Sequence, residues 1–214
     1  MRTAGLEAWG RDMMPEQRRV PVLGVLLVLA GLAAYANTFN VPFLLDDLTY
    51  ITENAALPKL WPPWDIYPSR PVLGASLALS YWWSGLEPWG YHVSNLVVHL
   101  LAGLTLYGLL RRTLLTPTMA PRWGRWATGL AFVVALVWLV HPLQTQAVTY
   151  IIQRSESLMG LFYLLGLYCA VRAHGSRWSA AWWLAALVSS ALGLGCKQVM
   201  VTAADRRQGV PLSA

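Results

Sequence analysis

Five apolar runs divide the chain, and all but one of its arginines lie outside them. The runs are residues 20–36, 91–110, 126–140, 157–173 and 178–195. About 20 apolar residues cross a hydrocarbon core of roughly 30 Å as a helix. Such a repeat admits few folds other than a set of helices in a bilayer. Composition supports the same reading, because only 12% of the 214 residues are charged. A soluble domain carries about 25%, and without that charge it cannot cover its surface. A soluble globular enzyme, a disordered tail and a disulfide-stapled secreted domain are thereby excluded. The expected class is all-α, a polytopic transmembrane protein of about five spans.

A sixth apolar stretch, residues 71–85, begins at Pro71 and contains Tyr81, Trp82 and Trp83. Fifteen residues rise about 22 Å as a helix, too little to cross. Aromatic residues of this kind collect at the membrane interface, so an interfacial helix in the first external loop is expected. Charge agrees with that choice. With five spans, the head, residues 111–125 and residues 172–177 share one side and hold ten of the 16 basic residues. The two loops opposite hold Lys59, Arg70 and Arg154. By the positive-inside rule the N-terminus is cytoplasmic. The expected organisation is a cytoplasmic tail over 1–19, a transmembrane domain over 20–200 and a polar tail over 201–214. The net charge of +6 is read as topology, and no nucleic-acid partner is expected. Cys169 and Cys196, each in an apolar run, read as buried free thiols.

Chemistry is expected on the external side. The loop over residues 37–90 holds five of the ten acids, including the Asp46-Asp47 pair. Adjacent carboxylates near a membrane can act as a general base toward a hydroxyl. They can also hold a divalent cation, or simply form a turn or cap. Arg70, Arg154 and Lys197 sit near the outer boundary. There they could clamp a lipid-linked phosphate or snorkel to headgroups. His92, Asn95 and His99 fall on one face of the second span. His99 is deep, either functional or a neutral histidine bonded to another helix. After His141-Pro142, the spacing of Gln146, Thr149 and Gln153 predicts a helix with one polar face. Zinc-ligand spacing, a phosphate-binding glycine loop and a nucleophile elbow are absent from the sequence.

These pieces stand in a familiar order: Tyr35 through the Pro42-Phe43-Leu44-Leu45 stretch to Asp46-Asp47, Arg70-Pro71, Gly90 to His99, His141 to Tyr150, Gln153-Arg154-Ser155 and Cys196-Lys197-Gln198. Over roughly residues 35–202 the chain resembles the membrane half of the GT-C glycosyltransferase-like proteins that carry tetratricopeptide repeats and are related to protein O-mannosyltransferases. The resemblance implies transfer of a sugar from a polyprenyl-phosphate carrier on the extracytoplasmic side, in a bacterial inner membrane or an ER-type membrane, with membrane lipid and a protein acceptor as partners. It implies an inverting displacement at the anomeric carbon with phosphate as leaving group. Asp46 and Asp47 would be catalytic or metal-holding, Asp47 being preferred as base. Arg154 and Lys197 would face the carrier phosphate, and Arg70, His92 and His141 would complete the substrate site. Gln146 and Gln198 stand where relatives often carry Glu. The polar end after Ala203 and the absence of a 34-residue repeat read as a truncated or frameshifted product, a fragment, or a short non-catalytic relative, and activity of the isolated chain is not expected. A non-catalytic membrane scaffold or transporter fragment is the alternative.

Overall fold

The structure is a computed structural model that describes residues 16–197. The tail over 201–214, Gln198 and most of the head lie outside the described residues. The described residues are helical and contain no strand. Helix α1 spans Glu16–Ala34, α2 Pro71–Ser84, α3 Pro88–Leu114, α4 Ala127–Leu139, α5 Arg154–Ala173 and α6 Ser179–Leu194. The five apolar runs and the 71–85 stretch therefore each correspond to one helix.

Length separates these helices. Three are long and apolar enough to cross a membrane: α1, α3, and α5 with its preceding turn, Ile151–Ala173. A fourth crossing results if Ala120–Leu139 and Pro142–Thr149, bent by 53° at His141, form one broken span. Pro142 lacks an N–H, and His141 before it is extended (φ −64°, ψ 132°), so the helix cannot run through. Helix α6, with 16 residues, is apolar but shorter. The predicted helix over Gln146, Thr149 and Gln153 is broken too. It stops at Thr149, and Tyr150 turns extended (φ −85°, ψ 111°) before a new turn at Ile151–Gln153.

Helix α3 is the spine. Pro88 starts it, where a missing N–H costs nothing, and Arg111 and Arg112 close it against the negative end of the helix dipole. It packs against α1, α2, α4 and α5, and α6 packs on α5. In the α1/α3/α4 seam, Leu139 occupies the space that a side chain on Gly31 or Gly103 would need: an added Cβ would lie 3.2 Å and 2.7 Å from it. Small residues let transmembrane helices approach in this way. Val25, Leu29, Val133, Val137, Leu184 and Leu187 point outward, as apolar side chains do when lipid is the solvent.

Residues 37–90 are a folded layer. Short turns at Thr38–Asn40, Leu48–Thr52 and Leu57–Lys59, the helix Pro63–Ile66 and α2 close over one apolar cluster. Ile51, Leu57, Ile66, Leu73, Leu77 and Tyr91 form it with Ile151 and Ile152 from the second loop. Cys169 and Cys196 are buried and free.

Candidate functional site

One face of α3 gathers the irregular backbone of both loops. His92, Asn95 and His99, predicted to share that face, are all buried. His92 Nε2 lies 2.8 Å from the Val41 carbonyl, and His99 Nε2 lies 2.8 Å from the Leu139 carbonyl. A carbonyl only accepts, so each ring carries its proton on Nε2. Tyr35 also donates to the Leu139 carbonyl at 3.0 Å, so this buried carbonyl at the end of α4 is doubly bonded. His99 is thus the histidine bonded to another helix. His92 Nδ1 is buried with no partner among the described residues. The Asn95 amide donates to the Val148 carbonyl at 3.1 Å, and its oxygen accepts from Arg154 Nε at 2.5 Å.

Arg154 opens α5 and is only 1% exposed. Its guanidinium donates through Nη1 to the Ser76 carbonyl and the Ser80 hydroxyl, both at 2.9 Å. Nη2 donates to the Tyr91 carbonyl, also at 2.9 Å. A buried charge is tolerated only with such coordination. The residue expected to face a carrier phosphate therefore ties α2, α3 and α5 together.

The two aspartates part company. Asp47 is 1% exposed. Its oxygens accept from Leu44 N–H at 3.2 Å and Ile152 N–H at 2.9 Å. Burial raises its carboxyl above the usual range, while the backbone N–H groups and nearby His92 oppose that rise. Asp46 is exposed, and its N–H donates to the Tyr150 hydroxyl at 3.2 Å. Leu45, just before the pair, has φ 47°, an unfavourable backbone state for a residue with a Cβ. It turns consecutive side chains in different directions.

The remaining cations gather near the start of α5. Arg70 donates to the Ser155 hydroxyl at 3.4 Å and lies 5.3 Å over the Tyr67 ring. Lys197 pairs with Glu156. Val72 N–H donates to the Gly195 carbonyl at 3.2 Å, which brings the end of α6 to α2. His141 stands apart. It is exposed, and its Nδ1 accepts from Leu143 N–H at 3.2 Å as a local cap. Sequence reasoning missed Ser76, Ser80, Tyr150 and Glu156. The serines sit four apart inside an apolar helix, which is a readable pattern, but their partner lies over 70 residues away. Among the described residues no group of three His, Cys, Asp or Glu gathers that could hold a metal. Each Asp47 oxygen accepts one backbone N–H.

An apolar groove of about 550 Å³ runs between α2 and α3. Leu79, Trp82, Trp83, Val97 and Leu158 wall it, and Ser76, Ser94 and Arg154 lie at its polar floor.

Human protein O-mannosyl-transferase TMTC2 is 30% identical over 204 residues, covering 86% of this chain and 22% of that protein. Over most of its length, this chain is a homologue of the TMTC protein O-mannosyl-transferases. Human TMTC1 is 27% identical over 76% of this chain, and Drosophila melanogaster Tmtc1 is 28% identical over 82%. The chain spans about a fifth of the length of these curated relatives. No protein-family model matches it, and no solved structure does. Homology and apolar helices together make it a glycosyltransferase-like integral membrane protein.

Proposed function

We propose that this chain forms the membrane half of a transferase that moves a sugar from a polyprenyl-phosphate carrier to a protein hydroxyl on the extracytoplasmic side. The observation that carries the reading is the bonding of the Asp46-Asp47 loop to the turn before α5, whose first residues also meet Arg70 and Lys197. The aspartate loop and Arg70 thereby both border the start of α5, where Lys197 pairs with Glu156, and this grouping supports a phosphosugar site. The carrier's hydrocarbon chain would lie in the α2/α3 groove. Arg70 and Lys197 would offset the phosphate charge. Asp46 is the better base, because it is exposed, whereas both Asp47 oxygens already accept N–H groups. The acceptor oxygen would attack the anomeric carbon, its proton passing to Asp46, as the bond from that carbon to the bridging phosphate oxygen breaks and polyprenyl phosphate leaves. Asp47 would position its neighbour, and Arg154 would hold the three helices.

The test is mannose release or transfer from polyprenyl-phosphate mannose by membranes that carry the chain, beside binding of polyprenyl phosphate. Asp46→Asn should lower turnover by about 10²–10⁴-fold and leave binding intact, while Arg70→Gln should weaken binding. Equal turnover in the wild type and Asp46→Asn would remove the base assignment. Absence of both turnover and carrier binding would favour the scaffold reading, which the full internal coordination of Arg154 also suits.

A further inference from the structure

A polar cavity lies at the other end of α3 from His92 and Asn95. It encloses about 360 Å³ between the ends of α3 and α5 and is lined by Arg111, Arg112, Thr116 and His174, with Leu115 and Val171 as its apolar wall. Arg111 is held in place, donating to Thr128 at 2.9 Å and pairing with Glu16 at 3.2 Å. Arg112 is different. Its Nε donates to the Tyr168 hydroxyl at 3.2 Å, and Arg172 Nη1 donates to the same oxygen at 3.3 Å. Two guanidinium groups therefore meet at one phenol. Among the described residues neither has a carboxylate in ion-pair range. Like charges brought this close favour an anion between or beside them.

The surroundings set the depth and the sign. Residues 111–125 and 172–177 contain six arginines and no acid. Arg122, Arg125 and Arg177 each lie 5.1–5.5 Å over the ring of the following tryptophan. Such tryptophans mark the headgroup level of a bilayer, and basic pockets between spans at that level suit lipid phosphates.

We propose that this pocket binds the phosphate headgroup of an anionic phospholipid, with Arg112 on the phosphate, Arg172 adding its charge from across the Tyr168 hydroxyl, and Leu115 and Val171 against the glycerol and first acyl carbons. A lipid fits better than free phosphate because the cavity joins charge to an apolar wall at the edge of the lipid-facing surface.

The full chain in detergent is mixed with phosphatidylglycerol or phosphatidylcholine, and retained lipid is read by native mass spectrometry. Phosphatidylglycerol should be retained about fivefold or more over phosphatidylcholine. Arg112→Gln should abolish that preference, whereas Arg177→Gln, outside the cavity, should keep it. Circular dichroism checks that each variant folds, and Arg172→Gln replaces Arg112→Gln if the latter does not. Equal retention of the two lipids, or a preference that survives both Arg112→Gln and Arg172→Gln, overturns the proposal. So does inorganic phosphate raising the unfolding temperature as much as phosphatidylglycerol does, because the site would then serve a free anion.

Discussion

At the end of α3 that faces Asp46 and Asp47, polar side chains are buried and bonded to one another. At the other end, about 40 Å along a 27-residue helix, arginines lie against tryptophans on the surface, on the Tyr168 hydroxyl or beside a single glutamate. Both ends carry cations, yet the energetics differ. Moving an ion out of water costs several kcal/mol even after relaxation. Arg154 tolerates this because four protein acceptors surround it. Arg122 and Arg125 never leave water, so they add little to stability. One end is therefore organised by charge, and the other is decorated with it.

The strongest attempt to break this contrast is Arg154→Leu. It strands Asn95 Oδ1 near a dry core, while the Tyr91 and Ser76 carbonyls keep their helix partners, and should cost about 1–3 kcal/mol. Chemical unfolding in detergent measures it; a loss below about 1 kcal/mol would show that the hub is dispensable.

Gly74→Ala probes the folded layer. An added Cβ would stand 2.4 Å from the Pro63 carbonyl oxygen, which is backbone and cannot swing aside. A loss of about 1–3 kcal/mol is expected, with faster proteolysis within residues 37–70. Unchanged proteolysis would mean that α2 does not rest on Pro63–Ile66.

Asp47→Asn sharpens the picture through pH. Burial raises the Asp47 carboxyl, so the folded chain holds that proton more tightly than the unfolded chain does. This contribution to stability is full below the usual carboxylate range and is lost as pH rises through the raised value. The variant should show a flatter stability profile across that window. An identical slope in both proteins would place the titration elsewhere.

The smallest effect belongs to Arg122→Ala, expected to change stability by less than about 0.5 kcal/mol. A larger loss would mean that the arginine-rich end is organised as well.

Much of the helical plan was legible. The apolar runs at 20–36, 91–110 and 157–173 each lie inside or nearly inside one long helix, and the ends differ by a few residues. The face shared by His92, Asn95 and His99 could be read from spacing alone, and all three are buried together. The second loop was harder. Its glutamines and threonines keep helical spacing, but Pro142 and the turn at Tyr150 break the run. Burial of the loop over Ile151 and Ile152 decides that conformation, and spacing does not encode it.

Hydropathy is a local sum, so the sequence by itself determined that the chain is helical, membrane-embedded and related in motif order to sugar transferases. Spacing along one helix also determined which α3 residues would point together. Only the tertiary structure decided which of two adjacent aspartates stays in water, and which of the cations Arg70, Arg154 and Lys197 is buried. Asp47 is held by an N–H 105 residues away, and Arg154 by acceptors 59 to 78 residues away. The free energy of a charge depends on which groups replace its water. For these residues those groups come from distant segments, and only the folded chain brings them together.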